Sequence, residues 1–497
     1  MTNTLYDALI APHANNDRVF LDCDDGSTLT YAGFVRRVAQ IANVLTDAGV
    51  TQGDRILVQA PKVADVIALY GAAIQTGAVY LPLNTAYTQA ELAYFAEDAA
   101  PALIVCDTKD AGLFEGTFDA PSLTIGSDGA GSLANQADAA ADTFDTTARG
   151  PEDLAALLYT SGTTGRSKGA ILSHKNLLSN ARALTDLWQI TDQDRLIHAL
   201  PIFHTHGLFV AMNTSLLAGA QIRFMAAFAQ DVMIAEIPKS TMLMGVPTFY
   251  TRLLGDPKLD NALCAKMRLF VSGSAPLLAE THTEFKAKTG HRILERYGMT
   301  ETNMITSNPF TGDRIAGTVG YPLPGTEVII SDPDTGKPLP AGEVGMIEVR
   351  GDNVFQGYLN MPEKTREELR ENGFFITGDL GIASEDGRIS IVGRQKDLII
   401  SGGYNIYPKE IEDAINDVAG VLESAVFGVQ HADFGESVVA AVIPEDGAAL
   451  DEQAIAGQIE PLLARFKHPR RYIFRDALPR NTMGKVQKNI LREEYSG

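Results

Sequence analysis

From Arg55 onward the apolar and polar positions fall into two alternating textures. Arg55 to Gln59 is a short strand pattern, Ala64 to Gln75 a mostly apolar helix. Ala102 to Cys106 is an unbroken apolar run, as in strands buried on both faces. Thr88-Gln-Ala-Glu91 is a capping-box sequence that opens a helix at Thr88. Strand candidates recur at Leu154 to Tyr159, Ala218 to Met225, Thr241 to Val246 and Met267 to Ser272, with helical stretches between them, including Pro247 to Leu254. This alternation predicts an α/β layered sheet. Gly126 to Gly150, rich in Ala, Asp, Gly and Ser, reads as a mobile surface connection.

The texture changes at Gly317. Short strands with Gly and Pro turns continue as far as Gly393, at Glu327 to Ile330, Gly345 to Arg350 and Arg388 to Val392, and predict a small β-barrel-like subdomain. Beyond Gly393 an α+β pattern begins afresh. A helix opens at Pro408 with Ile411, Ala414, Ile415 and Val418 on one face and Gly420 at its end, and strands come next near Ser424 to Val429 and Val438 to Ile443. This stretch has enough apolar pattern for a small domain of its own.

Composition narrows the classes. The 497 residues are 45% hydrophobic and 21% charged, as in an ordinary folded chain. With 41 Lys and Arg against 62 Asp and Glu, the net charge is −21. So acidic a body is a poor non-specific binder of nucleic acid or anionic membrane, and a polyanion such as a nucleotide needs a local pocket. Cys23, Cys106 and Cys264 are far apart without CxxC spacing, which argues against a zinc framework or a disulfide scaffold and for reduced thiols. No secretory signal pattern opens the chain. Its most apolar window, Val66 to Leu83, is broken by Gly71, Gly77 and Pro82 and reads as a buried helix followed by a strand, not a membrane span.

The strongest chemical signal is Tyr159-Thr-Ser-Gly-Thr-Thr-Gly-Arg-Ser-Lys-Gly169, directly after a predicted strand. Gly162, Gly165 and Gly169 let backbone N–H groups approach an anion, Thr160, Ser161, Thr163 and Thr164 add hydroxyl donors, and Lys168 adds a charge. The spacing is not that of a Walker A loop.

This loop resembles the phosphate loop of the acyl-adenylating superfamily of AMP-forming acyl-CoA synthetases and adenylation domains. Glu295-Arg-Tyr-Gly-Met-Thr-Glu301 is similar to its Y-G-x-T-E motif and Thr377-Gly-Asp379 to its T-G-D motif. Gly393-Arg-Gln-Lys-Asp397 resembles its hinge, and Asn481-Thr-Met-Gly-Lys485 its terminal lysine motif. The resemblance covers essentially the whole chain. It implies an N-terminal domain over 1–395 with the acyl and ATP pockets, and a mobile C-terminal domain over 396–497 carrying the catalytic lysine. It further implies that Glu301 holds Mg²⁺ on the phosphates, that Thr300 donates to the α-phosphate, and that Asp379 accepts from the ribose with Arg394 nearby. Gly273, Ser274 and Ala275 together with Glu295, Arg296, Tyr297, Gly298 and Met299 complete the nucleotide pocket. Lys485 bridges the attacking carboxylate and the α-phosphate, Lys396 is the pivot, and Gly402, Gly403 and Tyr404 belong with it on the coenzyme A side.

For the acyl pocket the resemblance points to His206, Arg252, Ser274 and Met299. His204 and His206 form an H-x-H pair that no nearby Cys or carboxylate completes into a zinc site. Pro201 to Val210 lacks the Asp that amino-acid-activating relatives carry there. Arg252, on the predicted Pro247 helix, suits a second carboxylate, which needs a bidentate partner once desolvated. Pro201 to Gly207, Met244 to Arg252 and Pro479 to Lys488 resemble malonate-activating members of the family. The expectation is therefore ATP-dependent ligation of malonate to coenzyme A through malonyl-AMP, with Mg²⁺, by a cytoplasmic monomer or small homo-oligomer without nucleic-acid or membrane partners. Methylmalonate, acetate or propionate are the rival substrates. A stand-alone module loading a carrier protein is the rival class, and no carrier domain is expected, since the sequence stops at Gly497 soon after the lysine motif.

Overall fold

The computed structural model describes residues 3–114, 118–160, 167–401, 404–431, 434–481 and 484–495. The chain divides into two compact units, one of residues 1–328 with 349–375, the other of 329–348 with 376–497.

The first unit holds two sheets. One runs in the order Ser122–Thr124, Leu103–Cys106, Arg55–Gln59, Val79–Pro82, Leu154–Thr160 and Lys168–Ser173. Its pairs are parallel except the last, which is a hairpin. The other has nine strands. At its centre Leu294–Met299, Leu269–Ser272, Met242–Gly245, Arg195–His198, Gln221–Phe224 and Val19–Cys23 lie side by side and parallel. Strands buried on both faces cannot afford polar alternation, and the buried positions of the central ones are mostly Leu, Ile, Val, Met and Phe. The predicted helix and strand in the Val66 to Leu83 window are Ala64–Thr76, ended by Gly77 at φ 74°, and Val79–Pro82. The Thr88–Glu91 capping box is present with both reciprocal hydrogen bonds. Among the described residues no helix is long and apolar enough to cross a membrane.

One expectation is corrected. Residues 126–150 are not a bare surface connection: Ser132–Ala139 is a helix that buries Leu133, Ala134 and Ala137. The segment after it is tied down by Asn3, whose side-chain amide donates to the Thr147 carbonyl at 2.9 Å. The small residues that read as loop are those that let this helix pack closely.

In the second unit Phe375–Ala383 pairs antiparallel with Ile389–Arg394. A sheet ordered Tyr404–Ile406, Ile399–Ser401, Gly435–Pro444 and Val421–His431, with Arg471–Phe474 parallel to Gly435–Pro444, carries the helix Pro408–Asn416 on an apolar core. That helix buries Ile411 and Ile415 as the pattern predicts, and stops at Asn416, short of Gly420. The expected division at 395/396 falls inside this unit, because residues 376–394 pack with the rest of the C-terminal chain.

Candidate active site

In the first unit the phosphate-type loop joins two paired strands, Leu154–Thr160 and Lys168–Ser173, with Thr160 opposite Lys168. Ser161, Gly162, Thr163, Thr164 and Gly165 lie outside the described residues. Lys168 Nζ is 3.1 Å from the Glu368 carboxylate and 3.1 Å from the Tyr358 hydroxyl. The same hydroxyl is 2.6 Å from Glu368 Oε2 and 3.0 Å from Glu301 Oε1. Lys168, Glu368, Tyr358 and Glu301 thus form one chain of charge-assisted hydrogen bonds. Glu301 is 4% exposed, and burial holds its carboxyl above the usual range against the lowering effect of Lys168 and Tyr358. Tyr358 and Glu368 carry no motif that would have singled them out: one follows Gly357 at an isolated bridge to Ala170, the other ends a polar helix, Pro362–Glu368.

A second cluster is built where Leu269–Ser272 ends beside the start of Leu294–Met299, with Ser272 opposite Glu295. Ser274 sits at φ 72°, a left-handed conformation rare for a residue with a side chain. Its hydroxyl is 3.2 Å from Nδ1 of His206, the first residue of the π-helix His206–Met212. Arg296 lies against Gly273 so closely that a Cβ there would meet its guanidinium carbon at 2.2 Å. Both side chains are buried, and desolvation pushes the Arg296 guanidinium down to about 9 and the His206 imidazole well below its ordinary value, with the Arg296 charge adding to the latter. Arg296 Nε and Nη2, His206 Nε2 and Ser272 Oγ are buried polar atoms without a partner among the described residues. Orphaned polar atoms are rare in folded interiors, and their concentration here makes this cluster a candidate ligand site.

Other expected site residues are placed differently. Glu295 points to His282, 3.3 Å away beneath the helix Ala279–Thr289. Thr300 and Glu301 form the turn between Leu294–Met299 and Asn303–Ser307, with Met299 and Gly298 half-buried at its start. Tyr297 is buried in the strand. Arg252 is on the exposed face of Pro247–Leu254, opposite Phe249, Tyr250, Leu253 and Leu254, with its guanidinium carbon 5.3 Å from the Phe228 ring centroid. Sequence reasoning passed over His198, which is fully buried at a strand end. Its Nε2 donates to the Gly207 carbonyl at 2.7 Å and its Nδ1 accepts from Lys62 Nζ at 2.9 Å, anchoring the backbone next to His206.

In the second unit Asp379 and Arg394 are opposite one another on paired strands and joined at 2.9 Å, with Asp379 4% exposed. Lys396 is in a short 3₁₀ turn immediately after, its amine lowered by burial. Gly402 and Gly403 lie outside the described residues, and Tyr404 is exposed and stacked on Phe466 at 4.4 Å. Lys485 is exposed, on a turn closed by its own N–H to Asn481 Oδ1 and by the Asn481 N–H to the Lys485 carbonyl.

Against known proteins, residues 10–359 match the AMP-binding enzyme family and residues 410–485 the AMP-binding enzyme C-terminal domain. The chain is similar to the ATP-bound MatB of Rhodopseudomonas palustris, with a TM-score of 0.98 and 53% identity over 99% of each chain. It is 34% identical to a malonate–CoA ligase of Arabidopsis thaliana, covering 90% of this chain and 78% of that one. It is 35% identical to a sulfoacetate–CoA ligase of Cupriavidus necator, covering 97% and 96%.

Proposed function

Because this chain belongs to the AMP-binding enzyme family, we propose that it ligates malonate to coenzyme A at the expense of ATP, releasing AMP and pyrophosphate. The observation that carries this reading is the 53% identity to ATP-bound MatB along nearly the whole chain, joined to the likeness to a malonate–CoA ligase. In the first half-reaction a malonate carboxylate attacks the α-phosphorus of ATP and pyrophosphate leaves. In the second the thiol of coenzyme A attacks the acyl carbon of malonyl-AMP and AMP leaves. Two anions meet in the first step, so catalysis is positioning and charge neutralisation. We assign the nucleotide phosphates to the 160–169 loop, Thr300 and Lys168, the adenine to the Gly273–Ala275 segment and Tyr297, and the ribose to Asp379 with Arg394.

Lys485 is the cation that draws carboxylate and α-phosphate together, a task suited to a flexible point charge. Lys396 is the pivot of a C-terminal domain over 396–497 that exchanges Lys485 for the thiol route. The buried carboxylate of Glu301 would hold Mg²⁺, which would neutralise phosphate charge there. The acyl pocket is lined by His206, Ser274 and Met299, and its second-carboxylate ligand on the Pro247 helix is Arg252. The enzyme works in the cytoplasm as a monomer or small homo-oligomer.

Sulfoacetate, another short acid with a second anionic group, is the alternative favoured by the Cupriavidus necator relative. The test is AMP release with coenzyme A and ATP across malonate, methylmalonate, sulfoacetate, propionate and acetate. Malonate should give the highest kcat/KM; acetate or propionate outrunning every doubly charged acid would overturn the reading.

A further inference from the structure

We infer that Tyr94 and Asp98, one turn apart on the helix Gln89–Ala99, are positioning residues that hold Thr160 and Lys168 in place for the nucleotide phosphates. The inference rests on the proposed reading of Thr160 and Lys168 as phosphate ligands and adds the side chains that fix them.

The strands that carry Thr160 and Lys168 place the two residues opposite one another, and Lys168–Ser173 is an edge strand of its sheet. The end of an edge strand is where a sheet frays first, so a side chain that must meet phosphate oxygens there needs support from outside the ladder. The side-chain contact between the two, from Thr160 Oγ1 to the Lys168 carbonyl, is 3.5 Å, too long to supply much of it. The helix Gln89–Ala99 supplies it on both sides. The Tyr159 hydroxyl, on the residue before Thr160, donates to Asp98 Oδ2 at 2.6 Å. The Tyr94 hydroxyl donates at 2.7 Å to the carbonyl of Ser167, the residue before Lys168. Residues four apart share one face of a helix, so Tyr94 and Asp98 reach the two strands together. Between them the Phe95 ring packs on Tyr159 with centroids 4.4 Å apart, and the capping box at Thr88 fixes the start of the helix. Burial and the Asp98 carboxylate push the Tyr159 hydroxyl up from its ordinary range, so it stays protonated and donates. Asp98 also accepts from the Asn360 side-chain amide, at 2.9 Å through its carbonyl and at 3.1 Å through Oδ1. Asn360 comes shortly after Tyr358, whose hydroxyl is 3.1 Å from Lys168 Nζ. Asp98 thus joins the strand of Thr160 to the segment that holds the Lys168 amine.

The experiment compares wild type with Tyr94→Phe, Tyr159→Phe and Lys168→Met, using the acid that supports AMP release best, so that a failure of the malonate reading leaves the test intact. It measures KM for MgATP, KM for the acid, the inhibition constant of adenosine, the rate of thiolysis of the supplied acyl-adenylate and the unfolding midpoint. The two tyrosine variants keep the rings and each lose one hydrogen bond. KM for MgATP should rise about fivefold in Tyr94→Phe and about tenfold in Tyr159→Phe, whose partner is charged, while the other three kinetic and binding readouts move less than about twofold. Adenosine binding that weakens in step with MgATP would overturn the inference, because the hydroxyls would then shape the whole nucleotide pocket. So would an equal fall in adenylation and thiolysis with a lowered unfolding midpoint, which would make them supports of the fold alone. If Tyr159→Phe does not fold, Tyr94→Phe decides. A raised KM for MgATP in Lys168→Met with an unmoved one in the tyrosine variants ends the inference alone. An unmoved KM for MgATP in Lys168→Met ends the phosphate reading of Lys168, and the inference with it.

Discussion

The hydroxyl of Tyr358 stands 3.0 Å from Oε1 of Glu301, the buried carboxylate proposed to meet Mg²⁺. The same hydroxyl reaches Glu368, which in turn pairs with Lys168 beside the phosphate-type loop. Tyr358 therefore orients Glu301 through a hydrogen bond. Tyr358→Phe keeps the ring, and its contact with Phe355, but removes the hydrogen bond. We expect KM for MgATP to rise about tenfold, with KM for the acid changed far less, since a hydrogen bond to a charged group contributes about 1.5–3 kcal/mol. Titration of the variant with Mg²⁺ at fixed ATP, followed by binding calorimetry, checks this. Equal KM effects on the acid would mean that Tyr358 only supports packing.

Lys485→Ala should lower the rate of adenylate formation by orders of magnitude and leave thiolysis of supplied malonyl-AMP nearly intact, because its role is confined to the step in which two anions meet. Pyrophosphate release and malonyl-CoA formation, measured separately, read the two steps. Equal loss in both would contradict the first-step assignment.

Lys396→Pro fixes φ near −65° at the proposed pivot. Thiolysis should fall far more than adenylation, since only the former needs the second domain orientation. Unchanged rates for both would place the pivot elsewhere.

Much of the scaffold was legible because buried parallel strands leave continuous apolar runs, as at Arg55–Gln59 and Leu103–Cys106, and because Thr88 and Pro247 are explicit helix starts. The motif residues Glu301, Asp379 and Lys485 were legible as a spaced set. Tyr358, Glu368, His198 and Lys62 were not: each acts through a partner distant in the chain or through a backbone carbonyl, and no local spacing encodes such pairings. Arg252 was singled out from its place on the Pro247 helix, but that its side chain is exposed while Arg296 is buried was not legible, because burial of a lone arginine leaves no periodic trace.

Acid should weaken the fold through its buried histidines. Burial holds His174 at about 4 and puts His198 and His206 well below the ordinary value. The unfolded chain therefore binds more protons between about pH 6.5 and 4, and stability is lost as pH falls through that window. For His174 alone the loss by pH 5 is about 2 kcal/mol. The unfolding midpoint should drop between pH 7 and pH 5, and His174→Asn should flatten that slope; a flat profile in wild type would show that these imidazoles are not held neutral.

The most direct measurement follows one oxygen atom. Malonate labelled with ¹⁸O in its carboxylates is turned over with ATP and coenzyme A, and the AMP is read by mass spectrometry. Attack of a carboxylate on the α-phosphorus followed by thiolysis of the acyl–oxygen bond leaves that oxygen on phosphorus, so each AMP should carry one ¹⁸O. Unlabelled AMP, or label appearing in phosphate with ADP as the nucleotide product, would contradict malonyl-AMP as the intermediate.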